Sequence, residues 1–236
     1  MAKGYFVVGT DTGVGKTVVT AGLVGALRAK GINAAPFKPV QSGAMRTQEG
    51  LKALDVEFYK KVADLPEDKF NTYTLEPALS PSLAAEISKV TIEPEPILED
   101  FNTLSKNYEL ILVEGAGGLY VPLQGTTYLL PDLIKTLNLP LIIVSRPNLG
   151  TINHTVMTIK CAEHLEIAVK GVIYNGYDEK TATPSEKTNP EIIEKITGVP
   201  CLGVIPKGRD IDVDAGKTSN CLELIQEHVN FDLLLS

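Results

Sequence analysis

The sequence predicts an α/β fold, with a mostly parallel, doubly wound sheet flanked by helices. Six short apolar runs have the continuous hydrophobic pattern of parallel strands that are buried on both faces. Amphipathic or helix-favouring segments lie between them, and this alternation is typical of doubly wound sheets. The apolar runs cover residues 5–9, 34–38, 110–113, 141–145, 169–174 and 202–205. The helical segments cover residues 17–30, 51–62, 133–137, 155–165 and 191–196.

Length and composition favour one compact domain. The chain has 236 residues, of which 44% are hydrophobic, so it can bury a full core within the size of a single α/β unit. Residues 91–96 include two prolines and two glutamates and are interpreted as a surface connection rather than a domain linker. We therefore expect residues 1–236 to form a single domain.

Charge and hydropathy argue against several classes of function. The net charge of −7 disfavours nonspecific binding to nucleic acid or to an anionic membrane, because phosphates repel an acidic surface. No stretch approaches the roughly 18 uninterrupted apolar residues of a membrane span, and the N-terminus leads into a strand rather than a signal peptide. The three cysteines lack the spacing of a disulfide framework or a zinc site. These features predict a cytoplasmic protein whose partners include neither nucleic acid nor membrane.

The segment GTDTGVGKT, residues 9–17, predicts a nucleotide-phosphate loop. It follows the first strand and opens the first helix, which is the context that such a loop requires. Its glycines let backbone N–H groups approach phosphate oxygens, and the helix N-terminus adds a favourable dipole. Lys16 can supply a positive charge, and the hydroxyl of Thr17 can bind Mg²⁺. Five residues separate Gly9 from Gly15 instead of the usual four, and this spacing restricts the phosphate-loop families to which the chain can belong.

A carboxylate at the end of a buried strand is a candidate ligand for Mg²⁺. The run at 110–113 leads directly into Glu114, and Mg²⁺ prefers oxygen ligands such as a carboxylate, a hydroxyl and phosphates. Asp55 is the candidate for a second carboxylate beside Thr17. Taken alone, Asp55 would more often be a solvated residue on a helix face.

Lys38 and Ser42 follow the second predicted strand. We expect Pro39 to end regular structure directly after Lys38, so that Lys38 projects beside the nucleotide phosphates. A lysine there can stabilise charge on a transferring phosphoryl group, and Ser42 can hydrogen-bond a polar substrate. Without the phosphate loop, a surface cation and a turn serine would be the preferred interpretation.

Three further segments are candidates for binding. Asn175 lies at the end of a later strand, where its amide can pair with adenine, although asparagine is also a common turn residue. Residues 205–207 end the last strand and can flank the base. The segment at 150–154 precedes a helix, so its N–H groups can bind a carboxylate, or Asn153 can simply cap the helix.

Four segments together resemble the dethiobiotin synthetases. They are GTDTGVGKT at 9–17, KPVQSG at 38–43, VEGAGG at 113–118 and GTINH at 150–154, and the match runs from about residue 4 to Pro206. The resemblance implies a P-loop NTPase-like fold and a homodimer with sites at the subunit boundary. It also implies that 7,8-diaminononanoate, carbon dioxide and ATP are converted into dethiobiotin, ADP and phosphate, with Mg²⁺ as cofactor.

The resemblance also implies roles for individual residues. Lys16 and Lys38 would be catalytic, and Thr17, Asp55 and Glu114 would organise Mg²⁺. The residues that would bind ATP are Thr12, Gly13, Val14, Gly15, Lys16, Thr17, Asp55, Glu114, Gly115, Ala116, Gly117, Asn175, Ile205, Pro206 and Lys207. The residues that would bind the diamine are Ser42 and Gly118, together with Gly150, Thr151, Ile152 and Asn153 of the second subunit. Gly13 replaces an acidic residue found in some members, so any nucleotide contact of that side chain is absent.

Two other functions compete with this interpretation. Amidoligases that act on cobyrinic acid usually carry a glutaminase domain with a nucleophilic cysteine, for which 236 residues leave no room. Switch ATPases of the chromosome-partitioning type generally have a second lysine near the start of the loop, where this chain has Thr10 and Asp11. ATP turnover measured with and without the diamine separates these two functions from the synthetase, because only the synthetase is expected to depend on the diamine.

Overall fold

A computed structural model describes residues 3–236 of the chain. The strands in this range are β1 (Lys3–Gly9), β2 (Ala34–Gln41), β3 (Met45–Thr47), β4 (Gly50–Lys52), β5 (Asn71–Thr74), β6 (Leu110–Glu114), β7 (Pro122–Gln124), β8 (Tyr128–Leu129), β9 (Leu141–Ser145), β10 (Val169–Tyr177) and β11 (Cys201–Pro206). The helices are α1 (Lys16–Ala29), α2 (Leu54–Ala63), α3 (Pro81–Ser88), α4 (Pro94–Asn107), α5 (Leu130–Leu137), α6 (Thr151–His164), α7 (Pro184–Thr197), α8 (Cys221–His228) and α9 (Phe231–Leu235).

Seven strands form the central sheet in the order β11-β10-β9-β1-β6-β2-β5, and every neighbouring pair is parallel. The six apolar runs are six of these strands, so the predicted α/β fold with a parallel sheet is confirmed. Two short antiparallel hairpins, β3-β4 and β7-β8, lie outside the sheet. Because all seven strands run the same way, their carboxyl ends lie at one edge, where ligands of such sheets bind.

Helices cover both faces of the sheet. On one face, α1 packs against α8, and a side chain on Gly22 would come within 2.2 Å of Ile225. On the other face, the amphipathic helix α4 buries Ile97, Phe101 and Leu104, which are spaced to lie on one side of a helix. None of the helices within residues 3–236 is long and apolar enough to cross a membrane.

The interpretation of residues 91–96 as a surface connection is wrong in part, because α4 begins inside this segment at Pro94. A proline fits the first turn of a helix, where its missing N–H would have no partner in any case. Helices α6 and α7 also begin earlier than predicted, at Thr151 and Pro184.

The prediction that Pro39 ends regular structure is also wrong, since β2 continues to Gln41. Successive residues of a parallel strand hydrogen-bond alternately to the strand on one side and the strand on the other. The backbone N–H of Lys38 donates to the carbonyl of Phe70, on the β5 side. The nitrogen of Pro39 therefore faces β6, but pairing with β6 ends at Phe37. Proline is tolerated here because no ladder bond is lost, and Lys38 lies within the strand.

Candidate active site

The phosphate loop joins β1 to α1 and contains two glycines in left-handed backbone conformations. Gly15 precedes α1 with φ of +93°, and Gly13 has φ of +72°, both in the left-handed region that favours glycine. A side chain on Gly15 would come within 2.0 Å of the Asn175 amide nitrogen. This amide nitrogen donates to the carbonyl of Val14 over 3.0 Å, so β10 supports the loop from the side.

Beside the loop, four predicted residues meet in one buried cluster of opposite charges. The Nζ atom of Lys38 lies 2.6 Å from Oε1 of Glu114 and 2.7 Å from Oδ2 of Asp55. The Thr17 hydroxyl donates to the same Oε1 atom over 3.0 Å. Glu114 is 1% exposed, Lys38 is 5% exposed and the side chain of Asp55 is 15% exposed. Asp55 therefore belongs to the cluster, and its interpretation as a solvated residue on a helix face is wrong.

The two lysines of the site have opposite pKa shifts. Burial disfavours the Lys38 ammonium, but Asp55 and Glu114 outweigh this effect and hold its pKa above the ordinary lysine value. Burial is also the largest influence on Lys16, where Glu114 opposes it and Lys38 adds to it, and the pKa of Lys16 is lowered. Lys38 is thus a permanent cation, whereas Lys16 is the lysine that loses its proton first.

We expect ADP affinity to fall at alkaline pH because of Lys16. A lowered pKa means that the cation is present below that pKa and is lost as the pH rises through it. The fall in affinity should therefore be centred below the ordinary lysine value of 10.5. Calorimetric titration of ADP between pH 7 and pH 10 measures it, with adenosine as a control that has no phosphates. An ADP affinity that is constant over this range would contradict the assignment of Lys16 to the phosphates.

A cavity of about 490 Å³ brings the phosphate loop and the charged cluster together at the carboxyl ends of β1, β2 and β6. It is lined by Thr12, Gly13, Gly15, Lys16, Thr17, Val18, Lys38, Val40, Gln41, Ser42, Gly43, Asp55, Ala78, Glu114, Ala116, Gly117, Val213 and Asp214. Ser42 therefore shares one cavity with the phosphate loop. This space can hold a polyphosphate together with a second polar molecule.

A second cavity of about 290 Å³ lies on the other side of the phosphate loop. Gly13, Val14, Asn175 and Lys207 line it, together with Arg146. Its place next to the loop is suitable for the base and ribose of a nucleotide. Asn175 keeps its amide oxygen and one N–H for a base, since the other N–H bonds to Val14.

Several predicted residues lie away from these two cavities. Ile205 is buried in the core beneath α8, and Pro206 lines neither cavity. Gly115 is buried where a side chain would meet Leu130 at 2.8 Å, so its lack of a side chain serves packing. Gly118 lies in the same loop, also outside the lining of either cavity.

The segment Gly150–Asn153 opens α6 at the sheet edge, where Thr151 lines a small cavity together with Thr10, Asp11 and Val14 of the phosphate loop. Gly150 precedes the helix without a side-chain cap, and Asn153 lies exposed within the first turn, so the interpretation of Asn153 as a helix cap is wrong. The hydroxyl of Thr151 is buried 2.8 Å from that of Ser145. Thr151 therefore contributes to packing, and the exposed positions of the segment are the ones that can meet a ligand.

Tertiary contacts add residues that the sequence interpretation missed. Tyr59 donates to Oε2 of Glu114, Arg146 donates to the Gly13 carbonyl over 2.8 Å, and Asp214 enters the larger cavity from the C-terminal segment. Tyr59 lies four residues after Asp55, and this spacing on one helix face was a usable signal. Arg146 directly follows β9, at the sheet edge where ligands collect. Asp214 offered no comparable signal.

Comparisons with known proteins identify the family. Residues 3–215 match a family model described as an AAA domain. The chain is 45% identical to the ATP-dependent dethiobiotin synthetase BioD of Anoxybacillus flavithermus, over 86% of this chain and 91% of that protein. It is 37% identical to the protein of the same name from Bacillus subtilis, over 99% of this chain and 98% of that protein.

Solved structures share the fold at much lower sequence identity. A ParA family ATPase from Chlorobium tepidum superposes with a TM-score of 0.60 at 18% identity, over 96% of this chain and 98% of that one. The septum site-determining protein MinD of Pyrococcus horikoshii, complexed with Mg-ADP, superposes with a TM-score of 0.60 at 20% identity, over 96% of this chain and 94% of that one. These likenesses confirm the P-loop NTPase-like fold. Since the sequence matches to the synthetases extend over nearly the whole chain, this protein belongs to the ATP-dependent dethiobiotin synthetase family.

Proposed function

We propose that the chain is an ATP-dependent dethiobiotin synthetase of biotin biosynthesis, acting in the cytoplasm as a single domain. It closes the cyclic urea of dethiobiotin on 7,8-diaminononanoate with carbon dioxide and ATP, and it releases ADP and phosphate. The observation that carries this proposal is the single cavity lined by both the phosphate loop and the segment that holds Lys38 and Ser42. A phosphoryl group and a polar substrate can meet there.

The oxygen atoms of the charged cluster suit Mg²⁺. Oε1 of Glu114 and Oδ2 of Asp55 both lie within 2.7 Å of one Lys38 ammonium, and the Thr17 hydroxyl lies 3.0 Å from that Oε1 atom. Mg²⁺ is usually bound through one or two carboxylates together with substrate phosphates, and the cluster supplies two carboxylates. When bound, the ion neutralises charge on the phosphates.

The chain's own residues position and stabilise the reacting groups. One substrate amine captures carbon dioxide as a carbamate, whose oxygen attacks the γ-phosphorus of ATP while ADP leaves. The second amine then attacks the carbamoyl carbon, and phosphate leaves as the ring closes. Lys16 and Lys38 stabilise the charge that develops on the transferring phosphoryl group. A protein nucleophile is unnecessary, because holding both amines near one carbon supplies acceleration by proximity.

The substrate carboxylate is assigned to a second subunit. Ser42 of one subunit faces the diamine, and the exposed positions of residues 150–153 of the other subunit hold its carboxylate at the N-terminus of α6. Exposed apolar side chains beside this segment support a contact between subunits, because Leu149 is 89% exposed and Met157 is 56% exposed. The homodimer would cover them.

We expect Asn153→Ala to raise the KM for the diamine about tenfold or more while the KM for ATP changes little. Losing a hydrogen bond to a carboxylate costs about 1.5–3 kcal/mol, whereas the nucleotide is bound by other loops. Steady-state kinetics with each substrate varied in turn measures both constants. Thr158→Ala on the outer part of α6 serves as the matched control.

Mixing two impaired parents, at a diamine concentration below the KM of Asn153→Ala, tests whether the site spans the subunits. An Asn153→Ala subunit combined with a Lys16→Ala subunit places both defects in one site and leaves the other site intact. The mixture should therefore be more active than either parent. Heterodimers without this gain would show that each site is built within one chain, or that the two sites do not work independently.

Product analysis tests the function directly. Purified protein is incubated with ATP, Mg²⁺, bicarbonate and 7,8-diaminononanoate, and dethiobiotin and ADP are quantified by mass spectrometry. The proposal expects equal amounts of both and little ATP turnover without the diamine. ATP turnover that is indifferent to the diamine would overturn it in favour of a switch ATPase.

A further inference from the structure

Among the side-chain hydrogen bonds of Glu114 within residues 3–236, the bond from Tyr59 has no place in the roles assigned so far. It lies on α2, four residues after Asp55, so both side chains leave the same face of the helix. Its ring is fully buried, and its hydroxyl lies 2.5 Å from Oε2 of Glu114. The structure thus places a buried phenol directly behind the central carboxylate of the site.

The direction of this hydrogen bond is fixed. A phenol hydroxyl has one hydrogen to donate, and a carboxylate oxygen accepts. The hydroxyl donates to Glu114, with no competing acceptor among its hydrogen bonds in the described part of the chain.

The two oxygens of Glu114 therefore have different hydrogen-bond partners. Oε1 faces the cavity, where it accepts from the Lys38 ammonium and from the Thr17 hydroxyl. Oε2 faces the interior and is held by Tyr59. Turning the carboxylate about its last bond, away from this orientation, would move both oxygens off their partners and break all three contacts. Tyr59 opposes that rotation from the side away from the ligand.

We propose that Tyr59 is a positioning residue for the magnesium site, which anchors Oε2 of Glu114 so that Oε1 is presented to the cation beside Thr17. This inference rests on the proposed function, which assigns Mg²⁺ to Glu114, Asp55 and Thr17. Groups that hydrogen-bond a metal ligand from behind typically change metal affinity 10–100-fold when they are replaced. Tyr59 has this geometry towards Glu114.

The test replaces Tyr59 by phenylalanine in the full chain, which keeps the ring and removes only the hydroxyl. Mn²⁺ binding in the presence of ADP is measured from the free-ion signal in electron paramagnetic resonance, and the Mg²⁺ concentration for half-maximal product formation is measured separately. We expect both constants to rise about 10–100-fold. The kcat at saturating Mg²⁺ should stay within about threefold of wild type, since no reacting group is touched.

Two further variants separate positioning from a structural role. Tyr108→Phe removes a tyrosine hydroxyl that also donates to a carboxylate, that of Asp68, but at the opposite end of β6 from Glu114 and outside the lining of the larger cavity. Its Mn²⁺ affinity should equal that of wild type. In a Glu114→Gln background, Tyr59→Phe should weaken Mn²⁺ binding no further, because Tyr59 acts through Glu114. Circular dichroism and thermal melting establish that each variant is folded.

The outcomes distinguish this inference from the function on which it rests. Wild-type Mn²⁺ affinity in folded Tyr59→Phe would overturn the inference, as would a fall in kcat at saturating Mg²⁺ with unchanged metal affinity. A further weakening of Mn²⁺ binding by Tyr59→Phe in the Glu114→Gln background would also overturn it. If wild-type protein forms no dethiobiotin, the proposed function fails instead, and the Mn²⁺ measurements still decide the role of Tyr59.

Discussion

Replacing Lys16 by alanine is expected to abolish ATP-dependent product formation, with a fall in kcat of about 10²–10³-fold or more. Lys16 is the first residue of α1 and lines the cavity beside the carboxylate cluster. No other cation of the loop can replace it, since the loop segment contains a single lysine. The rate of dethiobiotin formation at saturating substrates measures the effect.

The stability of Lys16→Ala should be equal to or higher than that of wild type. Burial lowers the pKa of Lys16, which means that the folded state disfavours its charge. Removing that charge therefore removes an unfavourable contribution to folding. Lys187→Ala, at an exposed position on α7, is the control for loss of one lysine. Turnover of Lys16→Ala within threefold of wild type would refute the phosphate-loop assignment.

Replacing Lys38 by methionine is expected to lower both kcat and thermal stability. The variant loses the cation that stabilises the transferring phosphoryl group, for which a fall of about 10²–10³-fold in kcat is expected. It also leaves Asp55 and Glu114 next to each other without the ammonium that lies within 2.7 Å of both. Breaking a buried ion pair costs about 3–5 kcal/mol, which is a Tm decrease on the order of 10 °C for a chain of this size.

Added Mg²⁺ provides the decisive comparison for Lys38→Met. Two uncompensated carboxylates should bind the dication more strongly, so Mg²⁺ should raise the Tm of the variant more than that of wild type. Lys69→Met is the matched control, because Lys69 lies 2.6 Å from Asp100 but is 63% exposed. Such exposed ion pairs contribute little to the free energy of unfolding. Equal Mg²⁺ effects on Lys38→Met and wild type would remove the two carboxylates from the metal site.

The sequence was sufficient for the five interior strands and for β11, an edge strand that still carries an apolar run. It missed β5 at the opposite edge, because the residues Asn-Thr-Tyr-Thr lack an apolar run. It also missed that Pro39 is tolerated within β2. That depends on where pairing with β6 ends, which is a property of two strands and not of one segment.

The same distinction separates the predicted site residues from the missed ones. The phosphate loop is contiguous, so its glycines, Lys16 and Thr17 could be recognised from local order alone. Lys38 and Glu114 could be proposed from their positions near strand ends, whereas Asp55, which lies on a helix, needed the family resemblance. Arg146 reaches Gly13 across 133 positions of the chain, and a single sequence carries no sign of such a contact.

The contact between Arg146 and Gly13 has a consequence for how this family can vary. A β-carbon on Gly13 would lie 3.2 Å from the Arg146 guanidinium, so a side chain at position 13 and the arginine at position 146 compete for one volume. An acidic residue at position 13 would also meet a cation there. Substitutions at the two positions are therefore not independent, and their effects on stability will not add. Among homologous sequences, we expect the residues at these two positions to change together.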